Sequence, residues 1–271
     1  MNGTLGLKGW QWVFIIEAIP AVLLAFVVLV LMTDRPALAK WLKPEEREWL
    51  DGELEAERKE VESVGRLTML QALTDARVLV LSAIYFTGVT ASYGLVFFMP
   101  QIVKGLGLSN METGLVTAIP YIIGTVGLIA WGYSSDKHKE RRWHLIVATG
   151  LSAVGYILAA IFSHSYIAVA AMAIAAVGIY GSRPSFWPMP SVFLTGAAAA
   201  VGMALINSIG NLGGYIGPQI VGLIKDRTNS FEWALYFMAA CAALSTIIAY
   251  FATRSTSERP ITTQEEAVGR V

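Results

Sequence analysis

Six side chains are the best candidates for binding a ligand, because each is polar or aromatic and interrupts a long apolar stretch. They are Tyr85, Tyr93, Arg183, Trp187, Asn207 and Asn211. Polar groups are costly in lipid, so their presence inside apolar segments indicates a functional or packing role. Hydroxyl, amide and guanidinium groups donate hydrogen bonds, and the guanidinium adds a positive charge. Together they favour a binding site for a small anion.

Each candidate also has a structural explanation, and the sequence leaves both open. Tyrosines near the ends of membrane helices often serve as interface anchors. Arg183 is the one Lys or Arg residue between Trp143 and Ile224, and it is long enough to snorkel to the membrane surface. Asn207 and Asn211 lie four residues apart on one helical face, where amides either contact a ligand or join helices.

Arg183 and Trp187 lie in a segment that is rich in proline. Pro184, Pro188 and Pro190 occur within seven residues. Because proline lacks the backbone donor of a helix interior, we expect this segment to be unwound, with free carbonyl groups. A membrane tolerates such backbone only where protein or water satisfies it. An unwound, aromatic and cationic segment would suit the wall of an anion site.

The sequence lacks the residues of an intramembrane enzyme. It contains no Walker loop, no His-Glu-x-x-His and no Gly-x-Ser-x-Gly pattern, and its apolar runs hold one carboxylate, Glu17. The histidines His138, His144 and His164 are expected not to cluster. A single cysteine excludes a multi-cysteine metal site. We therefore expect no catalytic residue, no metal and no cofactor.

The distribution of charge predicts an all-α integral membrane protein. The 271 residues are 55% hydrophobic and 15% charged, and their mean hydropathy is +0.56. A membrane helix needs about 20 mainly apolar residues. Soluble helices, in contrast, show a polar stripe. The weakly charged runs predict seven transmembrane helices at 10–33, 78–103, 113–135, 143–162, 166–190, 196–224 and 233–253.

The spans divide the chain into four parts. Residues 1–33 hold the first span, 34–77 a central loop with an amphipathic helix from Pro44, 78–253 a six-helix bundle, and 254–271 a tail. Sixteen of the twenty Lys and Arg residues lie in the central loop, the 136–142 loop and the tail, or at Arg183. The positive-inside rule makes this side cytoplasmic, so we expect a cytoplasmic C-terminus.

The sixth span carries two Gly-x-x-x-Gly pairs, which predict close helix packing. Gly210 pairs with Gly214, and Gly213 pairs with Gly217. Glycines at this spacing let two membrane helices approach closely. Since amides in lipid need partners, we expect the neighbouring Asn207 and Asn211 to face the bundle interior or a cavity.

The loop after the third span resembles a signature of the major facilitator superfamily, Gly-x-x-x-Asp-(Arg/Lys)-x-x-x-Arg-Arg. The matching residues are Gly132, Asp136, Lys137, Arg141 and Arg142, and Lys139 stands where that family usually has glycine. The resemblance implies a cytoplasmic loop that takes part in conformational change.

Further segments resemble the anion:cation symporter family, in its bacterial organic-anion branch. They are residues 9–17, 34–42, 97–104, 183–190 and 205–214, so the resemblance extends from Gly6 to Phe251. It implies that the seven spans correspond to helices 6–12 of a twelve-helix fold, without helices one to five. It also implies that the binding wall of this half includes Tyr85, Tyr93, Trp187 and Asn207.

The resemblance implies a secondary active transporter for organic anions, such as carboxylates or sugar acids, that works by alternating access. Its expected partners are a small organic anion, a coupling proton, the lipid of the bacterial inner membrane and a missing N-terminal bundle, with no nucleic acid. The proton-coupling residues are expected in that missing half. The alternative is a truncated or split module that packs with a partner half and does not transport.

Overall fold

The computed structural model describes residues 4–33, 35–63, 68–194 and 196–252, and no strand occurs among them. The predicted tail at 254–271 and residues 64–67 of the central loop lie outside the described residues. The chain divides into two compact units, Met1–Gly65 and Arg66–Val271. The candidate binding residues all belong to the second unit.

The described residues of the first unit form one apolar α-helix and one polar α-helix. Helix α1 covers Gly9–Leu31, and the backbone N–H of Lys8 donates to Gln11 Oε1 at its start. Helix α2 covers Pro44–Ser63, with proline in the first turn, where no intrahelical donor is needed. The backbone N–H of Lys43 donates to the Glu46 carboxylate at 2.9 Å. The predicted helix start at Pro44 is therefore present.

The described residues of the second unit form six long helices and two short ones. The short helices are α3, Met69–Thr74, and α8, Pro188–Ser191; the long ones are α4, Ala76–Lys104, α5, Asn110–Lys137, α6, Arg142–Ile161, α7, Ile167–Phe186, α9, Gly196–Thr228, and α10, Glu232–Ala252. With α7 and α8 taken together, seven stretches of the described chain are long and apolar enough to cross a membrane. This confirms the seven predicted spans.

Small residues allow the helices of the second unit to pack closely. A Cβ atom on Gly155 of α6 would lie 2.4 Å from the backbone nitrogen of Ala175 in α7. A Cβ atom on Gly178 of α7 would lie 2.4 Å from the carbonyl oxygen of Ala148 in α6. The buried hydroxyl of Tyr156 donates to the carbonyl of Ala91 at 2.8 Å, which joins α6 to α4. These contacts fix the helices around the candidate site.

The proline-rich segment is helical, so the prediction that it is unwound is wrong. Helix α7 continues through Pro184 to Phe186, and Trp187 has helical angles of φ −65° and ψ −28°. Pro188 then begins α8 in the first-turn position that proline favours. The backbone leaves the helical conformation only after α8, and α9 starts at Gly196 with a φ of +55°.

Candidate functional site

A recess opens between α4, α6, α7 and α10 of the second unit. The empty space between its lining residues is about 560 Å³, a figure that includes open solvent. Three of the six predicted binding residues line it: Tyr85, Arg183 and Trp187. Most of the remaining lining is aliphatic or aromatic, with five hydroxyl side chains. The fold therefore brings an aromatic pair and a cation to one site.

Three aromatic rings form one wall of the recess. The ring of Tyr85 stacks on Phe186, with centroids 5.4 Å apart and planes 16° apart. The same ring meets Trp187 edge-on at 5.1 Å. A Cβ atom on Gly210 of α9 would collide with the Tyr85 ring, so the absence of a side chain there leaves room for the tyrosine. Sequence reasoning missed Phe186, because one phenylalanine in an apolar helix carries no distinguishing signal.

Arg183 lies at the recess and is exposed. Its guanidinium carbon lies 5.3 Å from the centroid of the Tyr180 ring. The guanidinium forms neither an ion pair nor a hydrogen bond with any described residue, although the Arg183 carbonyl accepts from the Trp187 N–H. A cation in a membrane-spanning helix without a carboxylate partner is costly. Its five donors are free to meet an anion.

Four of the five serine and threonine hydroxyls in the recess donate to backbone carbonyls. They belong to Thr149, Ser152, Ser182 and Ser245, with oxygen–oxygen distances of 2.9, 3.2, 2.8 and 3.2 Å. The fifth, that of Ser92, makes no hydrogen bond with any described residue, and its oxygen stays accessible to solvent in the recess. Sequence reasoning missed Ser92, because serine is common in membrane helices and has no spacing pattern here.

The other three predicted binding residues lie outside the recess. Tyr93 is 37% exposed and packs beside Phe97 on its own helix. Asn207 and Asn211 are both exposed, and the Asn211 amide donates to Asn207 Oδ1 at 2.9 Å. The two amides thus pair with each other and do not enter the packed interior of the unit.

The predicted glycine face packs α9 against α4. A Cβ atom on Gly213 would lie 2.5 Å from the carbonyl oxygen of Phe86, and one on Gly217 would lie 2.7 Å from that of Thr90. Gly214 differs, because its nearest neighbour is the Tyr93 ring at 3.5 Å, an ordinary contact distance. Gly213 and Gly217 therefore make the closest backbone approaches.

The charged loop between α5 and α6 is held by one ion pair and several hydrogen bonds. Asp136 pairs with Arg141. The buried hydroxyl of Ser135 donates to the carbonyl of Glu140 at 2.7 Å. The same oxygen accepts from Arg141 at 3.1 Å and from Ser185 at 3.3 Å. Since Ser185 belongs to α7, these bonds connect the loop to the helix that carries Arg183.

The remaining residues of the loop signature support a tight turn. Lys139 has a φ of +50°, the left-handed conformation that glycine adopts more easily, so the turn forms with lysine in that position. A Cβ atom on Gly132 would lie 3.3 Å from the Cβ atom of Pro184 in α7. Lys137 occupies the last turn of α5. Arg142 donates to the carbonyl of Tyr250 at 2.8 Å and so reaches α10.

Two of the three histidines meet at this loop, so the prediction that they do not cluster is wrong for this pair. The rings of His138 and His144 are stacked 6.2 Å apart, because the tight turn returns the chain onto the end of α5. His144 Nδ1 lies 2.9 Å from the Glu140 carboxylate, and Nε2 lies 3.0 Å from Ser134 Oγ. No metal-binding group of three or more such ligands occurs in the described ranges.

The Glu140 carboxylate caps the start of α6. Burial raises its pKa, but hydrogen bonds from the Trp143 N–H, the His144 ring and the His144 N–H outweigh burial, so the pKa lies below its ordinary value. The carboxylate therefore stabilises the fold above the ordinary carboxyl pKa. This contribution is lost as the pH falls through the lower, folded-state value.

We expect Glu140→Gln to lower stability at pH 7 by about 1 kcal/mol, the usual effect of losing a helix cap. The melting temperature of the purified chain should show this difference, and the difference should shrink as the pH falls through the lowered pKa of the Glu140 carboxylate. Asp226→Asn is the control, because the Asp226 side chain is 76% exposed and caps no helix. A stability difference that is unchanged between pH 7 and pH 3 would contradict the proposed role of the charge.

Comparison with known proteins assigns the chain to a family. The family model described as Major Facilitator Superfamily matches residues 3–218. Two proteins of Agrobacterium vitis, each named "Putative tartrate transporter", are 43% and 44% identical to the chain over 258 and 259 residues. These matches cover 95% and 94% of this chain and 59% and 57% of the relatives.

A third relative carries a different name. A protein of Acinetobacter baumannii named "Quinolone resistance transporter" is 39% identical over 252 residues. That match covers 92% of this chain and 58% of the relative. The chain therefore spans little more than half the length of the relatives that it matches.

Proposed function

Because the chain belongs to the major facilitator superfamily, we propose that it forms part of a secondary active transporter for organic anions. The superfamily and the named relatives are transporters, and the chain is not an enzyme. The chain is a multi-pass membrane protein, with seven helices of sufficient length and apolarity among its described residues. The substrate class, the coupling ion and the activity of the whole protein are our proposals.

One observation carries the choice of an anion. Arg183 stands beside a recess within the membrane helices and has no carboxylate partner in the described part of the chain. A guanidinium retained there without a counterion is best explained by a ligand that supplies the negative charge. The tartrate transporters named among the relatives support this choice, since tartrate is a carboxylate.

The α5–α6 loop supplies a means of coupling the site to conformational change. Ser135 and Ser185 connect the loop to α7, and Arg142 connects it to α10. In alternating access, two bundles rock about a central site and open it to each side in turn. We propose that this loop closes one side of the site and that an inward proton gradient drives uptake.

We also propose that the loop and the C-terminus face the cytoplasm of a bacterial inner membrane. The clustering of basic residues on that side supports this orientation. Labelling of a cysteine at Lys139 by a membrane-impermeant reagent added outside intact cells would contradict it, in a background where Cys241 is alanine.

Uptake of radiolabelled carboxylates tests the transport proposal. Two forms are compared in cells. One is the 271-residue chain alone. The other, the joined form, is this chain fused to the part of an Agrobacterium vitis relative that it does not match. We expect the joined form to take up the anion saturably and in response to an inward proton gradient. We expect no saturable uptake by the 271-residue chain alone, because it corresponds to 59% of the length of that relative.

The alternative is a membrane module that packs with a partner half and does not transport. This alternative needs a test because the chain matches only 59% and 57% of the length of the two Agrobacterium vitis relatives. Absence of uptake by the joined form, when that form reaches the membrane at normal levels, would overturn the transport proposal and support the module.

A further inference from the structure

A cluster of one cation and two aromatic rings lies where α6 begins and α10 ends. It consists of Arg142, Trp143 and Tyr250. We propose that this cluster binds the phosphate group of an anionic phospholipid, with the lipid chains along the exposed apolar faces of α6 and α10. The site is separate from the recess, so the inference goes beyond the proposed function and does not depend on the transported substrate.

Arg142 is held between the two helices by contacts that leave its charge unpaired. Its Nη2 donates to the carbonyl of Tyr250 at 2.8 Å, and its buried Nε has no hydrogen-bond partner. No carboxylate pairs with this guanidinium in the described part of the chain. A guanidinium has five donors, so hydrogens on Nη1 and Nη2 remain for a phosphate, which guanidinium groups bind through paired hydrogen bonds.

The carboxylates of the adjacent loop do not neutralise the cluster, because each already has partners. Asp136 pairs with Arg141, and Glu140 accepts hydrogen bonds at the start of α6. Lys137 and Lys139 are exposed, and neither has a carboxylate partner among the described residues. The surroundings of the cluster are therefore positively charged, which favours a lipid with a net negative charge over a zwitterionic one.

The two rings fix the guanidinium and are typical of the headgroup level of a membrane. Trp143 and Tyr250 meet edge-on with centroids 6.0 Å apart, and the guanidinium carbon of Arg142 lies 5.1 and 5.8 Å from them. Tryptophan and tyrosine are enriched at membrane–water interfaces, because their rings are apolar bodies with a polar edge. A guanidinium already held by cation–π contacts loses little further freedom when it binds a phosphate.

The exposed faces below the cluster suit lipid chains. On α6, Trp143, Val147 and Val154 are each about half exposed, and their spacing of four and eleven residues puts them on one helical face. On α10, Ile247 and Phe251 are 52% and 72% exposed and lie four residues apart. A phospholipid whose phosphate meets Arg142 therefore has apolar side chains beside its acyl chains.

Lipid binding to the purified 271-residue chain tests the inference apart from transport. The chain is held in detergent micelles, and native mass spectrometry measures the dissociation constant of the first bound lipid. Phosphatidylglycerol is compared with phosphatidylcholine of the same acyl chains, because only the former carries a net negative charge. We expect phosphatidylglycerol to bind at least about fivefold more tightly. Equal affinities would overturn the inference.

Arg142→Gln should weaken phosphatidylglycerol binding by at least about tenfold, because the charge and its paired donors are lost. Lys137→Gln is the matched control, since it removes the same charge from an exposed position in the last turn of α5. We expect the control to change the dissociation constant by about twofold at most. Equal losses in both variants would show that the basic loop attracts anionic lipid without a specific site, and would overturn the inference.

Trp143→Leu keeps the test decisive if Arg142→Gln fails to fold. The hydrogen bond to Glu140 uses the backbone N–H of residue 143, which leucine also has. The guanidinium loses one of its two rings, so phosphatidylglycerol binding should weaken by about three- to tenfold. Unchanged binding in this variant would contradict the proposed site.

Inorganic phosphate distinguishes a lipid from a free ion as the occupant. In millimolar excess it should not displace phosphatidylglycerol, because it lacks the acyl chains that contact the apolar faces. Displacement would identify a site for the free ion and refute the lipid. None of these measurements depends on uptake by the joined form, so this inference and the transport proposal fail separately.

Discussion

Replacement of Arg183 by glutamine is expected to raise the apparent KM for carboxylate uptake by at least about tenfold in the joined transporter. A hydrogen bond to a charged group contributes about 1.5–3 kcal/mol, and 1.4 kcal/mol corresponds to a factor of ten. Glutamine keeps part of the length and polarity of arginine but removes the charge. Concentration-dependent uptake at matched membrane expression measures the change.

Arg183→Lys separates ligand contact from snorkelling to the membrane surface. Lysine keeps the charge and is able to snorkel, but it cannot form the bidentate pair of a guanidinium with a carboxylate. We expect Arg183→Lys to bind carboxylates more weakly than the wild type. If it transports with unchanged KM, Arg183 is an interface residue and the anion site lies elsewhere.

The second large effect concerns the contact between α4 and α9. Gly213→Ala should destabilise the chain by about 1–3 kcal/mol, because the added Cβ atom would lie 2.5 Å from a backbone carbonyl that cannot move without shifting α4. Thermal unfolding of the purified chain, followed by size-exclusion chromatography, should show a lower melting temperature.

Gly214→Ala is the adjacent control on the same helix. Its Cβ atom would meet only the Tyr93 ring, at 3.5 Å, and alanine favours a helix over glycine by about 0.8–1 kcal/mol. We expect an unchanged or slightly higher melting temperature. Equal destabilisation by both variants would show that the tight backbone approach at Gly213 is not what holds the two helices.

The membrane-spanning helices were predictable from the sequence because the physical constraint on them is strong. A span needs about 20 residues with few charges, so the charge-free runs set its position. The structure places the fourth predicted span, 143–162, at Arg142–Ile161. The third predicted span, 113–135, begins later than α5, because a capping box of Ser109 and Glu112 starts that helix at Asn110.

The errors came from features whose meaning depends on tertiary context. Pro188 suggested a broken helix, but a proline in the first turn of a new helix costs little, and Trp187 connects the two helices with helical angles. His138 and His144 were read as separate because the sequence does not show that the turn at Lys139 returns onto α5. The composition of a short segment does not show whether two helices continue into each other or whether a turn folds back onto a helix.

The recess was not predictable, because its lining comes from four helices that are distant in the chain. Ser92, Ser152 and Ser245 lie on α4, α6 and α10, and each is one serine in an apolar helix. Asn207 and Asn211 were predicted to bind a ligand because they lie four residues apart on one helical face. Their side chains instead hydrogen-bond to each other outside the recess. Spacing along one helix reveals a shared face but not a cavity between helices.

The affinity of the chain for benzoate relative to benzamide tests the central claim most directly. The two probes have nearly the same shape, and only benzoate carries a charge. We predict that the wild-type chain binds benzoate at least about tenfold more tightly, as expected for a hydrogen-bonded charge, and that Arg183→Gln removes this preference. A preference for benzoate that persists in Arg183→Gln would contradict the assignment of Arg183 as the anion-binding residue.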